Sequence, residues 1–348
     1  MKKLFKIIAL LIFLALLAGS AAGYFIFRAP AVPENAGGKN FIIHRGMALP
    51  QIADSLKQQG LIKNRGAFLL ADKILKWGKT LKAGKYAIPA GASNLDLYKL
   101  FRSGKAVQFR VTLPEGKTIE DYAGILQRAT EIDSAVFVRL AQDSAFVRQL
   151  NVPAANLEGY LYPNTYTFSW GVSAPEIMRT IVQEFHQQVN DSLRRRAAAL
   201  NMTLHEVITL AAIIEGEAVV DSERAVISAV YHNRLRQGIL LQADPTIQYI
   251  VPGPPRRLLN RHLEIDSPYN TYRYPGLPPG PVNNPGIASI RAALYPANVD
   301  YIFFVARGDG SHTFTRTLQE HLRAKSDFDK VRARVRRERA AFGDGSNR

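Results

Sequence analysis

The segment Leu204-His-Glu-Val-Ile-Thr-Leu-Ala-Ala-Ile-Ile-Glu-Gly-Glu-Ala218 carries the sequence's clearest chemistry, because it sets carboxylates into an apolar helical pattern. At 100° per residue, Glu215 falls inside the arc of Val207, Ile208, Ala211 and Ile214. Glu217 lies about 160° away, beside Glu206, on the face expected to meet water. A carboxylate on a buried stripe must be neutralised, paired or used. Two readings of Glu215 stay open. It is either the partner of an arginine such as Arg224 or Arg234, or a general acid whose proton is held by apolar surroundings. Gly216 costs about 1 kcal/mol in a helix interior relative to Ala, so it marks a helix end or a close approach.

Downstream, Leu241-Gln-Ala-Asp-Pro-Thr246, Tyr269-Asn-Thr-Tyr272, Gly276-Leu-Pro-Pro-Gly280 and Asn283-Asn-Pro-Gly286 crowd turn-forming and polar residues together. Such loops either serve local turns or present amides, hydroxyls and rings to a polar ligand. Gln242, Asp244, Asn270, Tyr272 and Asn284 are the candidates they supply, with Tyr249 and Tyr269 as further rings for sugar faces. His312 alternates with Phe314 near the C-terminus, and as a lone histidine it fits a hydrogen-bonded structural role or a site role. No zinc-binding spacing, P-loop, nucleophile elbow or dinucleotide fingerprint occurs. No metal or cofactor is expected. Zero Cys removes thiol catalysis, Fe–S clusters and Cys-ligated zinc.

These residues need a scaffold, and the pattern is that of an α+β protein. Apolar residues make up 47% of 348, enough for a folded core. Phe41–Ile43 reads as a strand, followed by a turn at Gly46 and a helix through Leu49, Ile52, Ala53 and Leu56. The same motif returns with strand Phe109–Leu113, Gly116, and Ile119, Tyr122, Ala123 and Leu126. Ser93 or Asn94 caps a helix carrying Leu97, Leu100 and Phe101. Helices run from Pro175 to Tyr231, residues 301–315 form a hairpin, and a last helix covers about 317–340. The expected organisation is an anchor over 1–28, a linker over 29–40, a small module over 41–104, a second α+β unit over 105–174, a catalytic domain over 175–340 and a tail over 341–348.

Ile7–Phe27 is an uncharged run long enough to cross a ~30 Å hydrocarbon layer. Lys2, Lys3 and Lys6 precede it, which predicts a cytoplasmic N-terminus and an exported remainder. The run exceeds the ~7–15 apolar residues of a signal peptide, so retention as an anchor is expected. The net charge of +16, from 45 Lys plus Arg against 29 Asp plus Glu, favours anionic surroundings. Arg194-Arg-Arg196 and the basic run Arg323–Arg339 read as solvated helix faces, and nucleic acid is not an expected partner of an exported domain.

The segment Ala211–Ala218, with Asn233-Arg-Leu235, LQADPT, YNTY, GLPPGP, NNPG, the FFVARGDGSHTF hairpin and Leu157-Glu-Gly-Tyr-Leu-Tyr-Pro-Asn-Thr-Tyr166, resembles the YceG-like family. The resemblance implies a single-pass inner-membrane protein with a LysM-like module and a domain that cleaves glycan strands of nascent peptidoglycan. It implies Glu215 as the catalytic glutamate, the first of the E-x-E motif, with Glu217 and Glu158 in support. Departures are Gly216 where Lys is common, Asn164 where Asp is common and Leu322 where Asn is common. One carboxyl suffices for a lytic transglycosylase that closes a 1,6-anhydro ring, because the nucleophile belongs to the substrate. The alternatives are a tethered muramidase, with Asp244 as second carboxylate, and a peptidoglycan-binding scaffold without turnover. Membrane-bound peptidoglycan synthases are the expected neighbours.

Residues 1–28 should remain attached, so alkaline washing should leave the full-length protein in the membrane fraction. A mature chain that began after Ala22 and came free without detergent would show the run to be a cleaved signal.

Overall fold

The computed structural model describes residues 2–44, 46–104, 107–130, 132–254 and 256–343. They form a mixed α and β chain divided into two compact units. The first holds residues 1–111, 129–131 and 167–173, and the second holds the rest. Of the expected tail, residues 344–348 lie outside the described residues.

The first unit begins with α1 (Lys2–Phe27), whose apolar side chains from Leu4 to Phe25 are largely exposed. There follow β1 (Asn40–Ile43), α2 (Leu49–Gln58), α3 (Arg65–Leu75), β2 (Gly84–Ala87) and α4 (Asn94–Ser103). β1 and β2 pair antiparallel with Phe41 opposite Tyr86. Alternation in β1 turns Phe41 and Ile43 inward, and Ile52, Ala53 and Leu56 from α2 cover them. Phe68 stacks on Tyr98 at 4.6 Å, and Phe101 meets both Phe41 and Tyr86. The two buried tyrosines keep their hydroxyls satisfied by donating to backbone carbonyls, Tyr86 to Lys82 at 2.7 Å and Tyr98 to Phe68 at 3.1 Å.

Of the two expected caps, Ser93 is the one that caps α4, and it forms a reciprocal box with Asp96. Asn94 instead donates to the Ile26 carbonyl at 2.8 Å, satisfying one of the free carbonyls at the end of α1. Residues 29–40 differ from a loose linker. Val32 and Ala36 are buried, and Ala31 and Val32 donate to the Ala92 carbonyl. Backbone pairing and two small apolar side chains fix this stretch to the module, despite its Pro and Gly content.

Two strands, β3 (Gln108–Leu113) and β4 (Asn164–Ser169), pair with each other and carry the chain between the units. In the second unit come α5 (Ile119–Ala129), α6 (Ser134–Gln142), α7 (Ser144–Gln149), α8 (Ala174–Gln188), α9 (Asp191–Ala199) and α10 (Leu204–Glu217). They continue with α11 (Arg224–Gln237), α12 (Asp244–Ile250), α13 (Asn260–Leu263) and α14 (Ile287–Leu294). The hairpin of β5 (Phe303–Ala306) and β6 (His312–Thr315) precedes α15 (Leu318–Gly343), which packs on it. Residues 112–128 and 132–166, read from sequence as part of a separate small unit, fold with these helices. The expected repeat is present as local structure. Gly46 and Gly116 both take left-handed φ, +79° and +70°, and Leu56 and Leu126 are both fully buried.

α10 is the central element. Every residue from Val207 to Ile214 is buried, and α9, α11, α12 and α14 pack around it. Thr203 and Glu206 form its capping box, which leaves the Glu206 carboxylate exposed at the surface as expected.

Phe101→Ala removes a side chain in contact with two other rings, so it should destabilise the first unit by about 3–5 kcal/mol. Denaturant unfolding followed by fluorescence would measure the loss.

Candidate active site

The last turn of α10 places Glu215 with its side chain only 7% exposed. Arg224, from the first turn of α11, meets Glu215 Oε2 through Nη1 at 3.3 Å. The backbone N–H of Gly286, just ahead of α14, donates to the same oxygen at 3.1 Å. Of the two arginines the sequence offers, Arg224 is the one that reaches Glu215, so this carboxyl is not isolated among apolar groups. Arg234 is unavailable, because its guanidinium donates to the carbonyls of Ile302, Leu240 and Leu241. Arg224 is itself fixed by Asp221 at 3.0 Å and by the Ser289 hydroxyl. Burial opposes its charge, but Glu215 and Asp221 outweigh burial and hold its pKa above the ordinary arginine value.

The wall of this site is built by the segment Asn283–Gly286. Asn284 is fully buried, and its side chain is spent. Nδ2 donates to the Lys117 carbonyl at 2.9 Å and to Glu158 Oε1 at 3.0 Å, while Oδ1 accepts from Leu161 N–H at 3.0 Å. Its backbone pairs with Gly116 and Lys117, which brings the turn at Gly116 against the Glu215 side chain. Glu158 is buried too and accepts from Ile119 N–H at 3.3 Å. Burial pushes its carboxyl well above the ordinary range, against the opposing effect of those two donors. Asn284 was expected to touch substrate, but it is fully buried and both of its amide N–H groups are donated within the protein. It joins loops, and Glu158 supports it.

Asn270 gives the same correction. Its amide donates to the Leu263 and Ile265 carbonyls and accepts from Tyr272 N–H, so it orders the YNTY loop. Thr271 ties that loop to LQADPT, accepting from Gln242 N–H and from Ala243 N–H. Gln242 is left with φ +50° and an exposed side chain, a backbone strain held by its surroundings. His312 is fixed on Glu223, which takes its Nδ1 at 2.7 Å and its backbone N–H at 3.0 Å. Glu223 immediately precedes Arg224 in the chain.

Glu217 is not the solvated residue that the helical wheel indicates. Tyr231 donates to its Oε1 at 3.0 Å, and Tyr272 donates to Asp244 Oδ1 at 2.5 Å. Burial, followed by the negative charge of Asp244, pushes the Glu217 carboxyl up to about 7. The wheel fails because α10 is buried all round from Val207 to Ile214, so the wet face that Glu206 marks at its start does not continue to Glu217. Gly216 is explained by both of its expected causes. It stands one residue from the helix end, and a Cβ there would come within 2.6 Å of Pro245.

Sequence reasoning missed Glu115. It lies in the turn between β3 and α5, and its carboxyl rests so close to Gly286 that a Cβ on that glycine would collide with it. A signal existed in the repeat: at the position before the shared turn glycine, the first copy has Arg45 and the second Glu115.

Against known proteins, the YceG-like family model matches residues 41–327. A protein of Bacillus subtilis (strain 168) named endolytic murein transglycosylase is 32% identical over 306 residues, 83% of this chain and 84% of that protein. One of the same name from Streptococcus pneumoniae (serotype 2 strain D39) is 27% identical over 367 residues, covering 92% of this chain and 65% of that protein. A crystal structure of a putative yceG-like protein from Listeria monocytogenes matches with a TM-score of 0.58 and 31% identity, over 82% of this chain and 98% of that one.

The raised pKa of Glu217 has a thermodynamic consequence. A folded pKa of about 7 against an unfolded value of about 4.3 means that this group's contribution is fully present at low pH and lost as pH rises through 7. Glu217→Gln should therefore gain stability relative to wild type between pH 5 and pH 8, measured as a growing difference in Tm. A difference that stays constant with pH would contradict this.

Proposed function

The chain belongs to the YceG-like family, and we propose that it is an endolytic murein transglycosylase, cutting peptidoglycan glycan strands between MurNAc and GlcNAc with Glu215 as the catalytic carboxyl. The observation that carries the assignment of Glu215 is its position: a mostly buried carboxyl held by a guanidinium and a backbone N–H, directly after the buried stretch Val207–Ile214 of α10. As an acid it protonates the glycosidic oxygen while the bond to the muramyl C1 breaks. Arg224 stabilises the carboxylate that remains. That carboxylate then accepts the proton of the muramyl 6-hydroxyl as O6 closes on C1, which gives a 1,6-anhydro end without water. An intramolecular nucleophile is already positioned, so no group has to hold a water molecule.

Gln242, with its exposed side chain, and Tyr272 face incoming sugar groups, and Asp244 orients the Tyr272 hydroxyl. Asn270, Asn284 and Glu158 keep the loops in place, and the His312–Glu223 pair steadies the start of α11 beside Arg224. The order β1-α2-α3-β2, with antiparallel strands, supports a LysM-like reading of the first unit. α1 serves as a single-pass anchor in the cytoplasmic membrane, with the lysines at its start on the cytoplasmic side and the chain that follows it outside. Tethering limits the enzyme to strands near the bilayer, which makes membrane-bound peptidoglycan synthases its neighbours.

Glu215→Gln keeps the size and the Gly286 N–H contact but cannot deliver a proton. Turnover should fall by about 10²–10⁴-fold with folding intact, and Glu217→Gln should lose much less. Incubating the full-length protein with purified glycan and identifying the new ends tests both residue and reaction. Anhydro-muramyl ends support the transglycosylase, free reducing ends indicate a hydrolase, and a fully active Glu215→Gln would show the catalyst to be another residue.

A further inference from the structure

Glu115 is the carboxyl at this site that the reaction leaves unused. It directly precedes Gly116, whose backbone lies against the Glu215 side chain. Gly286 connects the two acids, since its N–H donates to Glu215 Oε2 at 3.1 Å while its α-carbon sits against the Glu115 carboxyl. Both carboxyls therefore lie against a single glycine, with Arg224 also on Glu215. Glu115 as a residue is exposed, while the Glu215 side chain is nearly closed off.

We propose that Glu115 and Glu215 act as a dyad that carries one proton between them, with Glu115 as the second carboxyl of the acid catalyst. The inference rests on the transglycosylase reading above. Two negative charges on one glycine repel each other, which favours the pair carrying a single proton. The surrounding groups agree. Desolvation of the Glu115 carboxyl and then the charge of Glu215 push it up, Asp221 adds to this, and Arg224 opposes it. Tyr122 and Tyr162 are near enough to feel the Glu115 charge: burial pushes both phenols up, and the negative charge of Glu115 adds to it.

The dyad resolves a tension in the site. Glu215 accepts from two donors that suit a carboxylate, yet the reaction must begin with a proton. With a shared proton, one passes from the dyad to the glycosidic oxygen as the C1–O bond breaks, and the GlcNAc 4-hydroxyl leaves. The muramyl O6 forms the new bond to C1, and its proton returns to the dyad. One bond to C1 is exchanged for another, no water is consumed, and the dyad ends with the proton count it began with. A carboxyl serving only to bind sugar would leave the pH dependence of kcat untouched.

The test uses the full-length protein in detergent, with purified glycan strands as substrate. Glu115→Gln should fold normally and lose about 10- to 100-fold in kcat, and the alkaline limb of its kcat profile should move to lower pH. Glu115→Asp should restore part of the rate and the limb. If Glu115→Gln matches wild type in kcat and pH profile, or raises KM alone, the dyad is wrong. A carboxyl titration by 13C NMR separates this from the parent reading. In Glu215→Gln, Glu115 should titrate at lower pH than in wild type, and an unchanged titration overturns the dyad even in an active enzyme. Should wild type form no anhydro ends, the transglycosylase reading falls and the titration alone decides the dyad.

Discussion

A helix whose middle turns are buried all round cannot end in carboxylates unless other elements come to meet them. α10 ends in Glu215 and Glu217, at the terminus where the helix dipole also disfavours negative charge, and it has no basic residue of its own in that last turn. Compensation must therefore come from elsewhere in the chain. Arg224 and the Gly286 N–H come to Glu215, and Tyr231 comes to Glu217. The packing of α11 and the approach of the loop ahead of α14 follow from that requirement, and so does the chemistry. One acid is paired with a cation, while the other is left with a phenol and a neighbouring carboxylate, two residues apart on the same helix.

The sequence makes the elements legible because their causes are local. Capping at Ser93 and Thr203, the turn glycines Gly46 and Gly116, and the hairpin alternation around Phe303–Thr315 each depend on a few adjacent residues. Glu215 is legible for a related reason, since an acid within an apolar arc stands out on a wheel. The partners are not legible. Arg224 and Arg234 look alike along the helix, and only the structure commits one to Glu215 and the other to backbone carbonyls. Asn270 and Asn284 read as free amides because hydrogen-bond saturation depends on residues as far away as Glu158 and Leu161. Glu217 misleads the wheel because a periodicity argument assumes one wet face.

The first unit shows a related limit. Residues 29–40 have linker composition, yet composition measures only what the backbone is free to do when nothing holds it. Here Ala92 accepts from two successive amides and Asn94 reaches the end of α1, while Ile26 and Phe27 pack on the module's core. The apolar helix and the module are thus joined by packing as well as by covalent chain. An apolar helix joined in this way fixes the direction in which the module leaves it, which a flexible spacer would not do.

The segment Asn283–Gly286 shows how little chain is needed to fix the surroundings of Glu215. Asn283 donates to the Ala212 carbonyl inside α10, Asn284 ties the Gly116 turn to Glu158, and Gly286 brings a backbone donor to Glu215. Each contact fixes a different rigid element, and the spacing along the chain fixes them relative to one another. A shift of α10 against α5 would have to break the buried Asn283 and Asn284 bonds together, each costly to leave unmade. The carboxyl geometry is therefore held by loop amides, and the apolar packing of α10 supplies the rigidity on which they act.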